Sequence, residues 1–260
     1  MLRNDSDRDW ETLGASDPYW AVLTDDRFHS GNLTRENIAQ FFARGEQDVA
    51  SVFSAIEKCI TPAFRPGRAL DFGCGVGRLV IPMANRCGAV VGVDVSDAML
   101  SEARRNAERA GIVNAEFVKG DDDLSRVTGD FDFVHSYIVL QHVPVPRGEA
   151  ITGRLLGLLR PGGVGALHYT YATGLSRKSR ALLWARMNVP LANPALNVVL
   201  RRRPSHPVMQ LNEYSVSRLL GILQDAGCTD VHGMLTDHQG NRGVMLLFRK
   251  AGSRDSEGAP

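Results

Sequence analysis

The feature that most constrains the fold of this 260-residue chain is a regular alternation of short apolar runs and helical segments between residues 66 and 171. Apolar, often β-branched stretches of strand length alternate with stretches whose apolar residues recur at helical spacing. In chain order they are 68–72, 78–86, 89–95, 97–111, 115–120, 131–137, 148–160 and 164–171. Apolar strands separated by helices are typical of a parallel sheet covered on both faces. With right-handed crossovers, the sequence therefore predicts an α/β fold with a doubly wound sheet.

Other segments frame this core, which we place at residues 58–171. Apolar positions at helical spacing predict a helical N-terminal cap over 1–57. Residues 213–250 are expected to complete the core with one helix and two apolar runs that pair antiparallel at the sheet edge. The polar stretch 251–260 is predicted to be a disordered tail.

Residues 172–212 form a basic insertion, with seven basic residues and no acid, whereas residues 1–50 carry ten acids against five arginines. Its apolar positions predict one or two amphipathic helices broken at Pro190 and Pro194. Three explanations of the charge stay open: the insertion recognises an anionic substrate, lies on a membrane surface, or docks on the acidic N-terminal region of the same or a partner subunit. We favour docking, with a homodimer as one form of it, because it accounts for both charge excesses.

Composition indicates a folded protein, since 43% of residues are hydrophobic and 23% are charged. No run of 18 apolar residues occurs, and the start MLRNDSDRDW is too polar for a signal peptide, so we expect a cytoplasmic, bacterial protein without a membrane span. The four cysteines lack metal-ligand spacing and are interpreted as free thiols. Nucleic acid is disfavoured as a partner because basic residues outside the insertion form no stripe with interleaved aromatics.

The turn 71-DFGCGVG-77 joins the first strand to the first helix of the core. Glycines so spaced serve NAD, FAD or S-adenosylmethionine binding, and a purely structural turn is the alternative. The spacing differs from the dinucleotide pattern G-x-G-x-x-G. Asp71 precedes the glycines, where it would repel a pyrophosphate but suit an amino group, and Asp94 closes the second strand, where an acid can accept from ribose hydroxyls. The pattern favours a nucleoside that carries an amine.

Five ordered motifs, 69-ALDFGCGVGRL-79, 91-VGVDVSDAML-100, 117-FVKGDDDL-124, 131-FDFVHSYIVLQHV-143 and 159-LRPGG-163, resemble those of the class I S-adenosylmethionine-dependent methyltransferases. The similarity covers roughly residues 66 to 171. It implies a seven-stranded, mostly parallel sheet whose last strand is antiparallel. It also implies S-adenosylmethionine as cofactor and S-adenosylhomocysteine as product.

Carried over by position, the resemblance implies a set of cofactor-binding residues: Asp71, Gly73, Gly75, Gly77, Asp94, Met99, Asp121, Asp122, His135 and Ser136. Asp71 and the glycine backbone would hold the methionine moiety, Asp94 the ribose and Met99 the adenine. Whether Asp121 or Asp122 contacts the adenine amino group stays open, because Asp122 replaces the small residue usual in the family. A solvated acidic turn is the alternative.

Methyl transfer requires the acceptor atom to lie in line with the methyl group, and a hydroxyl acceptor also needs a base. The candidate base is His142, just after the fourth strand, with simple packing beside the cofactor as the alternative. Glu213 and His238 are further candidate catalytic residues. A magnesium ion would also serve, but His135 stands where some metal-dependent relatives carry an acid, so we assign no metal ligands.

Candidate acceptor-binding residues are Tyr19, Trp20, His168 and Tyr214. Tyr19 and Trp20 could close over the cofactor or pin the cap to the core, while His168 is equally a core residue and Tyr214 a helix-capping neighbour. Because the candidates are mostly polar, we expect O-methylation of a sugar, oligosaccharide or other polar small molecule. The alternatives are N-methylation of a small amine and a cofactor-binding regulatory or assembly protein without catalysis.

Overall fold

The computed structural model describes residues 6–201 and 203–252, which build one seven-stranded sheet in the order β3-β2-β1-β4-β5-β7-β6. The strands are β1 (Arg68–Phe72), β2 (Ala89–Asp94), β3 (Ala115–Lys119), β4 (Phe131–Ser136), β5 (Leu159–Ala172), β6 (Cys228–His238) and β7 (Asn241–Lys250). Strands β1 to β5 pair in parallel, and β7 runs antiparallel to both β5 and β6. The predicted α/β class and the single antiparallel strand are confirmed.

Nine α-helices within the described ranges surround this sheet: α1 (Ser6–Ser16), α2 (Pro18–Val22), α3 (Arg35–Cys59), α4 (Val80–Ala84), α5 (Asp97–Arg109), α6 (Val145–Leu158), α7 (Arg177–Asn188), α8 (Ala192–Val199) and α9 (Val216–Asp225). Neighbouring strand residues face opposite sides, so Ala69 joins the core beneath α3 to α5 while Leu70 joins the core beneath α6 and α9. Each face of the sheet therefore has its own core. None of these helices is both long and apolar enough to cross a membrane.

Helices α1 to α3 pack on the end of the sheet that carries the glycine turn. Their own apolar cluster includes Phe28 and Phe41, and it reaches Val76 of the turn and Met99 of α5. Tyr19 of α2 is buried, and its hydroxyl donates to Glu102 at 2.8 Å and lies 2.9 Å from the Asn106 side-chain oxygen. The N-terminal helices are thus fixed on the rim of the core, directly above the turn.

The basic insertion contains α7 and α8, and only one of the two prolines that were expected to break its helices separates them. Pro190 lies between them, but Pro194 lies inside the first turn of α8. The expected break at Pro194 is therefore wrong, since first-turn amide groups have no intrahelical partner for proline to remove. In the predicted disordered tail, residues 253–260 lie outside the described residues.

Several acids of the N-terminal region pair with arginines of the core or of the cap itself. These pairs are Asp7–Arg147, Asp25–Arg27, Glu46–Arg86 and Asp48–Arg78, and Asp17 is hydrogen-bonded to His29. In the insertion, Arg180 pairs with Glu213 instead. The cap and the insertion face each other across a small hollow. Its lining is mainly apolar and includes Leu13 and Trp20 from the cap and Leu183 from α7. The docking of the acidic cap on the basic insertion by charge stays a prediction.

Candidate active site

The turn after β1 brings backbone to the floor of a deep cleft at the carboxyl ends of the parallel strands. Gly73 has a φ of +74° and Gly75 a φ of +52°, which residues with a side chain rarely adopt. A Cβ on Gly73 would overlap the Val139 methyl groups, and one on Gly75 would lie 2.8 Å from Val22. Both glycines line the cleft, whereas Gly77 does not and packs toward Ala103 of α5.

Asp71 presents a buried carboxylate to this cleft. Its Oδ1 lies 2.8 Å from Nδ1 of His135, and its buried Oδ2 has no hydrogen-bond partner among the described residues. A buried acceptor of this kind is costly unless a donor reaches it. An ammonium group entering the cleft would supply that donor, so the site fits a cationic amino group.

His135 and Ser136 support the site from below rather than lining it. His135 holds Asp71, and the Ser136 hydroxyl donates to the Phe72 carbonyl at 3.0 Å. Neither of these two candidate cofactor-binding residues lines the cleft, which is lined instead by the next residues, Tyr137 to Val139.

Asp94 lies at the carboxyl end of β2, on the opposite wall of the glycine turn. Its Oδ2 accepts from the Gly75 amide at 2.8 Å and its Oδ1 from the Ser96 amide at 2.9 Å. Burial raises the pKa of Asp94 to about 6, although these two amide bonds oppose the shift. At neutral pH the carboxylate is therefore ionised and keeps lone pairs for the hydroxyl groups of a ligand.

The outer end of the cleft is formed by Met99, which is buried, and by Asp121 and Asp122. Asp121 accepts from the hydroxyl and the backbone amide of Ser125, which lower its pKa. Asp122 accepts from Arg147 at 2.6 Å. Both acids line the cleft, so each stays a candidate to accept a hydrogen bond from the adenine amino group. Each also has a hydrogen-bond partner within the protein.

The N-terminal cap closes the cleft through residues that the sequence pattern did not identify. Ser6, Asp7 and Trp10 of α1 and Val22 of α2 line it. Arg147 of α6 bonds both Asp7, at 2.7 Å, and Asp122, so it ties α1 across the cleft rim. The only sequence signal was an aromatic residue in the acidic stretch 7-DRDWE-11, which is too weak to identify a lid.

His142 lines the same cleft from a short turn, Leu140–His142, that follows β4. Its Nδ1 lies 2.7 Å from the Gln210 carbonyl oxygen, which can only accept, so Nδ1 carries a proton. Its Nε2 lies 3.1 Å from the side-chain amide nitrogen of Gln141. Burial lowers the pKa of His142 even though the Gln210 carbonyl opposes the shift. The imidazole is therefore neutral at pH 7 with its lone pair on Nε2.

Comparison with known proteins identifies the segment that carries this cleft. Residues 69–163 match the methyltransferase domain family. They form a methyltransferase domain. Solved methyltransferases with bound S-adenosylhomocysteine or S-adenosylmethionine share its fold. A methyltransferase domain implies S-adenosylmethionine as the methyl donor.

The methyltransferase domain also accounts for the similarity to individual proteins. The ubiquinone biosynthesis O-methyltransferase of Acinetobacter baylyi is 32% identical over 120 residues, which cover 45% of this chain and 48% of that protein. The chain thus spans about half the length of the curated relatives it matches.

Solved structures share the fold over a greater length. Magnesium protoporphyrin IX methyltransferase from Synechocystis, with S-adenosylhomocysteine bound, has a TM-score of 0.62 at 20% identity and covers 93% of this chain and 98% of its own. The N-methyltransferase NodS from Bradyrhizobium japonicum has a TM-score of 0.59 at 13% identity, with 95% and 98% covered. These similarities extend the common fold beyond the methyltransferase domain.

Six candidate catalytic or acceptor-binding residues lie outside the lining of this cleft, beginning with Glu213 and Tyr214. Glu213 accepts from the backbone amide and hydroxyl of Thr173 and pairs with Arg180, and these bonds lower its pKa against the opposing effect of burial. Tyr214 is buried beneath the His142 turn and donates to the Leu140 and Val143 carbonyls. These two residues have partners within the protein and do not line the cleft.

Tyr19 and Trp20 also fall outside this cleft. Tyr19 anchors the cap on α5, as described above. Trp20 stacks on His29 with ring centroids 4.8 Å apart and lines the hollow between cap and insertion. Of the two functions considered for these aromatics, pinning the cap matches the geometry, and Trp10 is the aromatic that reaches the cleft.

His168 and His238 cluster with Tyr137 beside the cleft. The buried His168 lies 2.8 Å from the Thr236 hydroxyl, and His238 lies 3.3 Å from the Tyr137 hydroxyl. Burial, followed by the nearby His238, lowers the pKa of His168 to about 3, so this imidazole stays neutral. Tyr137 lines the cleft but the two histidines do not. Across residues 6–201 and 203–252, no group of three or more His, Cys, Asp or Glu is placed to hold a metal ion.

Proposed function

We propose that this chain transfers the methyl group of S-adenosylmethionine to a hydroxyl group on a largely apolar acceptor, with His142 as the base. The observation that carries the proposal is the neutral imidazole of His142 in the same cleft as the glycine turn and Asp71. An amine acceptor needs only to be neutral, whereas a hydroxyl gains from a base at the point of attack.

The residues of the cleft divide the work of binding. Asp71 would hold the ammonium group of the cofactor, Asp94 its ribose and Met99 its adenine, while Gly73 and Gly75 let backbone approach. When bound, the cofactor would supply a methyl group on a positively charged sulfur, which becomes neutral as the methyl group leaves it for the acceptor oxygen. Nε2 of His142 would take the proton that the acceptor hydroxyl loses.

His142 is held for this task by its neighbours. The Gln210 carbonyl fixes the tautomer that leaves Nε2 free of a proton, and Trp10 packs edge-on against the ring at a centroid distance of 5.1 Å. The Thr170 hydroxyl donates to the Gln141 side-chain oxygen at 2.6 Å, which directs the Gln141 amide toward Nε2. An acceptor hydroxyl would replace that amide as the donor to Nε2.

The walls of the cleft favour an acceptor with an apolar body over the expected sugar. The preference for a sugar depended on His142, His168, Glu213, Tyr214 and His238, and only His142 of these lines the cleft. The lining of the cleft also includes six apolar side chains: Trp10, Val22, Ile138, Val139, Val143 and Ile151. Such walls suit a phenol or another apolar alcohol. The relatives named for O-methylation in ubiquinone biosynthesis support the same choice.

A transfer assay with labelled cofactor tests this proposal against a phenol, a sugar and an aliphatic amine. We expect the phenol to be methylated and His142→Ala to lower turnover by roughly 10²–10⁴-fold. His232→Ala removes an exposed histidine of β6 and serves as the matched control with unchanged turnover. Methylation of the amine alone, or full turnover by His142→Ala, would contradict O-methylation with this base.

A further inference from the structure

Helix α8 of the basic insertion has its polar side turned inward. Asn197 is buried, and its side chain bonds the Pro204 and His206 carbonyls and Arg186. The next two residues, Val198 and Val199, are 60% and 76% exposed. A helix that only had to pack on this core would have the opposite orientation. Something other than the chain's own core is therefore expected to cover the apolar side.

The exposed apolar side chains are concentrated on this insertion. Of the ten large apolar residues that are exposed in the described part of the chain, seven lie between 182 and 200. We call these seven the outer face: Leu182, Trp184, Val189, Leu191, Val198, Val199 and Leu200. Isolated exposed apolar residues are ordinary, but a group of this kind marks an interaction surface.

Positive charge surrounds the outer face. Arg177, Lys178, Arg201 and Arg203 are exposed, and the sequence 172–212 contains no acid. Apolar and aromatic side chains flanked by arginine and lysine match the interfacial region of an anionic bilayer, where tails receive the apolar groups and headgroups the cations. An exposed tryptophan such as Trp184 is typical of that boundary.

A second copy of this chain is a poorer complement. Its acidic cap would have to neutralise the seven basic residues of the insertion, but Asp7, Asp48 and Glu46 already pair with arginines of their own chain. Asp17 and Asp25 have partners within the cap, whereas Asp26 and Glu36 are exposed. An anionic lipid surface offers many charges without an exchange of partners.

We propose that the outer face of α7 and α8 docks this protein reversibly on the surface of an anionic phospholipid bilayer. The helices would lie in the headgroup region without crossing the membrane. The proposal depends on the insertion alone and not on the identity of the methyl acceptor, so it can hold or fail independently of the proposed function.

Co-sedimentation of the full chain with vesicles tests the proposal. We expect binding to vesicles of equimolar phosphatidylglycerol and phosphatidylcholine, and much weaker binding to phosphatidylcholine alone. The double variant Val198→Asn/Val199→Asn should lower the partition coefficient by roughly tenfold or more, because it removes two apolar side chains that binding would bury in the bilayer interface. Leu235→Asn is the matched control, since Leu235 is 78% exposed on β6, and it should bind like wild type.

A second variant keeps the test independent of changes in helix packing. Arg177→Gln/Arg201→Gln alters two exposed charges and should lower the partition coefficient by roughly 25-fold, at about fivefold for each charge removed near an anionic surface. Circular dichroism of each variant is expected to match wild type.

Three outcomes would overturn the proposal. They are absence of binding to anionic vesicles, binding by both double variants that equals wild type, and equal binding to neutral and anionic vesicles. The competing partner is a second copy of the chain, and light scattering measures whether the protein is a monomer or a dimer. A dimer that Val198→Asn/Val199→Asn converts to monomer, without vesicle binding by wild type, would assign the outer face to a second copy instead.

Discussion

The floor of the cleft and its roof are built in different ways. The floor is made by consecutive backbone, from Asp71 through the glycine turn, and by Asp94 at the end of the adjoining strand. The roof is made by side chains from α1, α2 and the turn after β4, which lie more than a hundred residues apart in sequence. The floor therefore depends on local conformation, and the roof depends on how distant helices pack.

We therefore expect substitutions in the floor to abolish cofactor binding and substitutions in the roof only to weaken it. The largest effect is expected for Gly73→Ala. The added Cβ would overlap Val139 and force alanine to a φ of +74°. We expect S-adenosylhomocysteine affinity to fall at least a hundredfold in calorimetric titration.

Gly153→Ala is the control for that substitution, because Gly153 lies in α6 with nothing within 4 Å of an added Cβ. It should bind as wild type and be slightly more stable, since alanine favours helix. If Gly73→Ala bound the ligand as tightly as Gly153→Ala, the floor would not depend on backbone approach.

Lowering the pH should weaken cofactor binding because it protonates Asp94 in the floor of the cleft. Burial raises the pKa of Asp94 to about 6, so the unliganded protein protonates it as the pH falls from 7 to 5. If the ionised form accepts the ribose hydroxyls, ligand affinity falls by about tenfold for each unit of pH below 6. Asp94→Asn should bind weakly at both pH values. A wild-type profile that is flat from pH 7 to pH 5 would contradict this assignment.

The raised pKa of Asp94 also makes the stability of the unliganded protein depend on pH. The folded chain binds a proton at Asp94 below pH 6 that the unfolded chain binds only near its ordinary pKa of 3.8. This contribution to stability is therefore present at low pH and is lost as the pH rises through about 6. Asp94→Asn should remove that part of the pH dependence of unfolding.

The smallest effect is expected at the roof. Trp10→Ala removes a ring that lines the cleft and packs on His142, a contact worth about 0.5–1.5 kcal/mol. We expect ligand affinity to fall by roughly threefold to tenfold. Trp184→Ala removes an exposed tryptophan far along the chain and should leave affinity unchanged. Equal effects of the two substitutions would mean that α1 does not cover the ligand.

The contrast between floor and roof also explains what the sequence could predict. The strands of the core are continuous apolar runs, so their order along the chain and the α/β class were readable. Asp71, Gly73, Gly75, Asp94 and Met99 lie in the cleft because each sits at the end of a strand or the start of a helix, where chain direction fixes the position.

Residues whose place depends on tertiary packing could not be found this way. Trp10, Val22 and Arg147 reach the cleft only because the cap folds back over the turn. Glu213 and His238 carry suitable chemistry, yet hydrogen bonds to Thr173 and Tyr137 hold them elsewhere. The charge excesses of cap and insertion likewise did not predict that Asp7, Glu46 and Asp48 pair with arginines of the core.

The most direct test of the account is a calorimetric titration of wild type and Asp71→Asn with S-adenosylhomocysteine. We expect wild type to bind one S-adenosylhomocysteine per chain, because one cleft contains the glycine turn, Asp71 and Asp94 together. Loss of the charged partner for the ligand ammonium should weaken binding in Asp71→Asn by roughly 10- to 100-fold. No binding by wild type, or equal affinity in the two proteins, would contradict the assignment of this cleft to the cofactor.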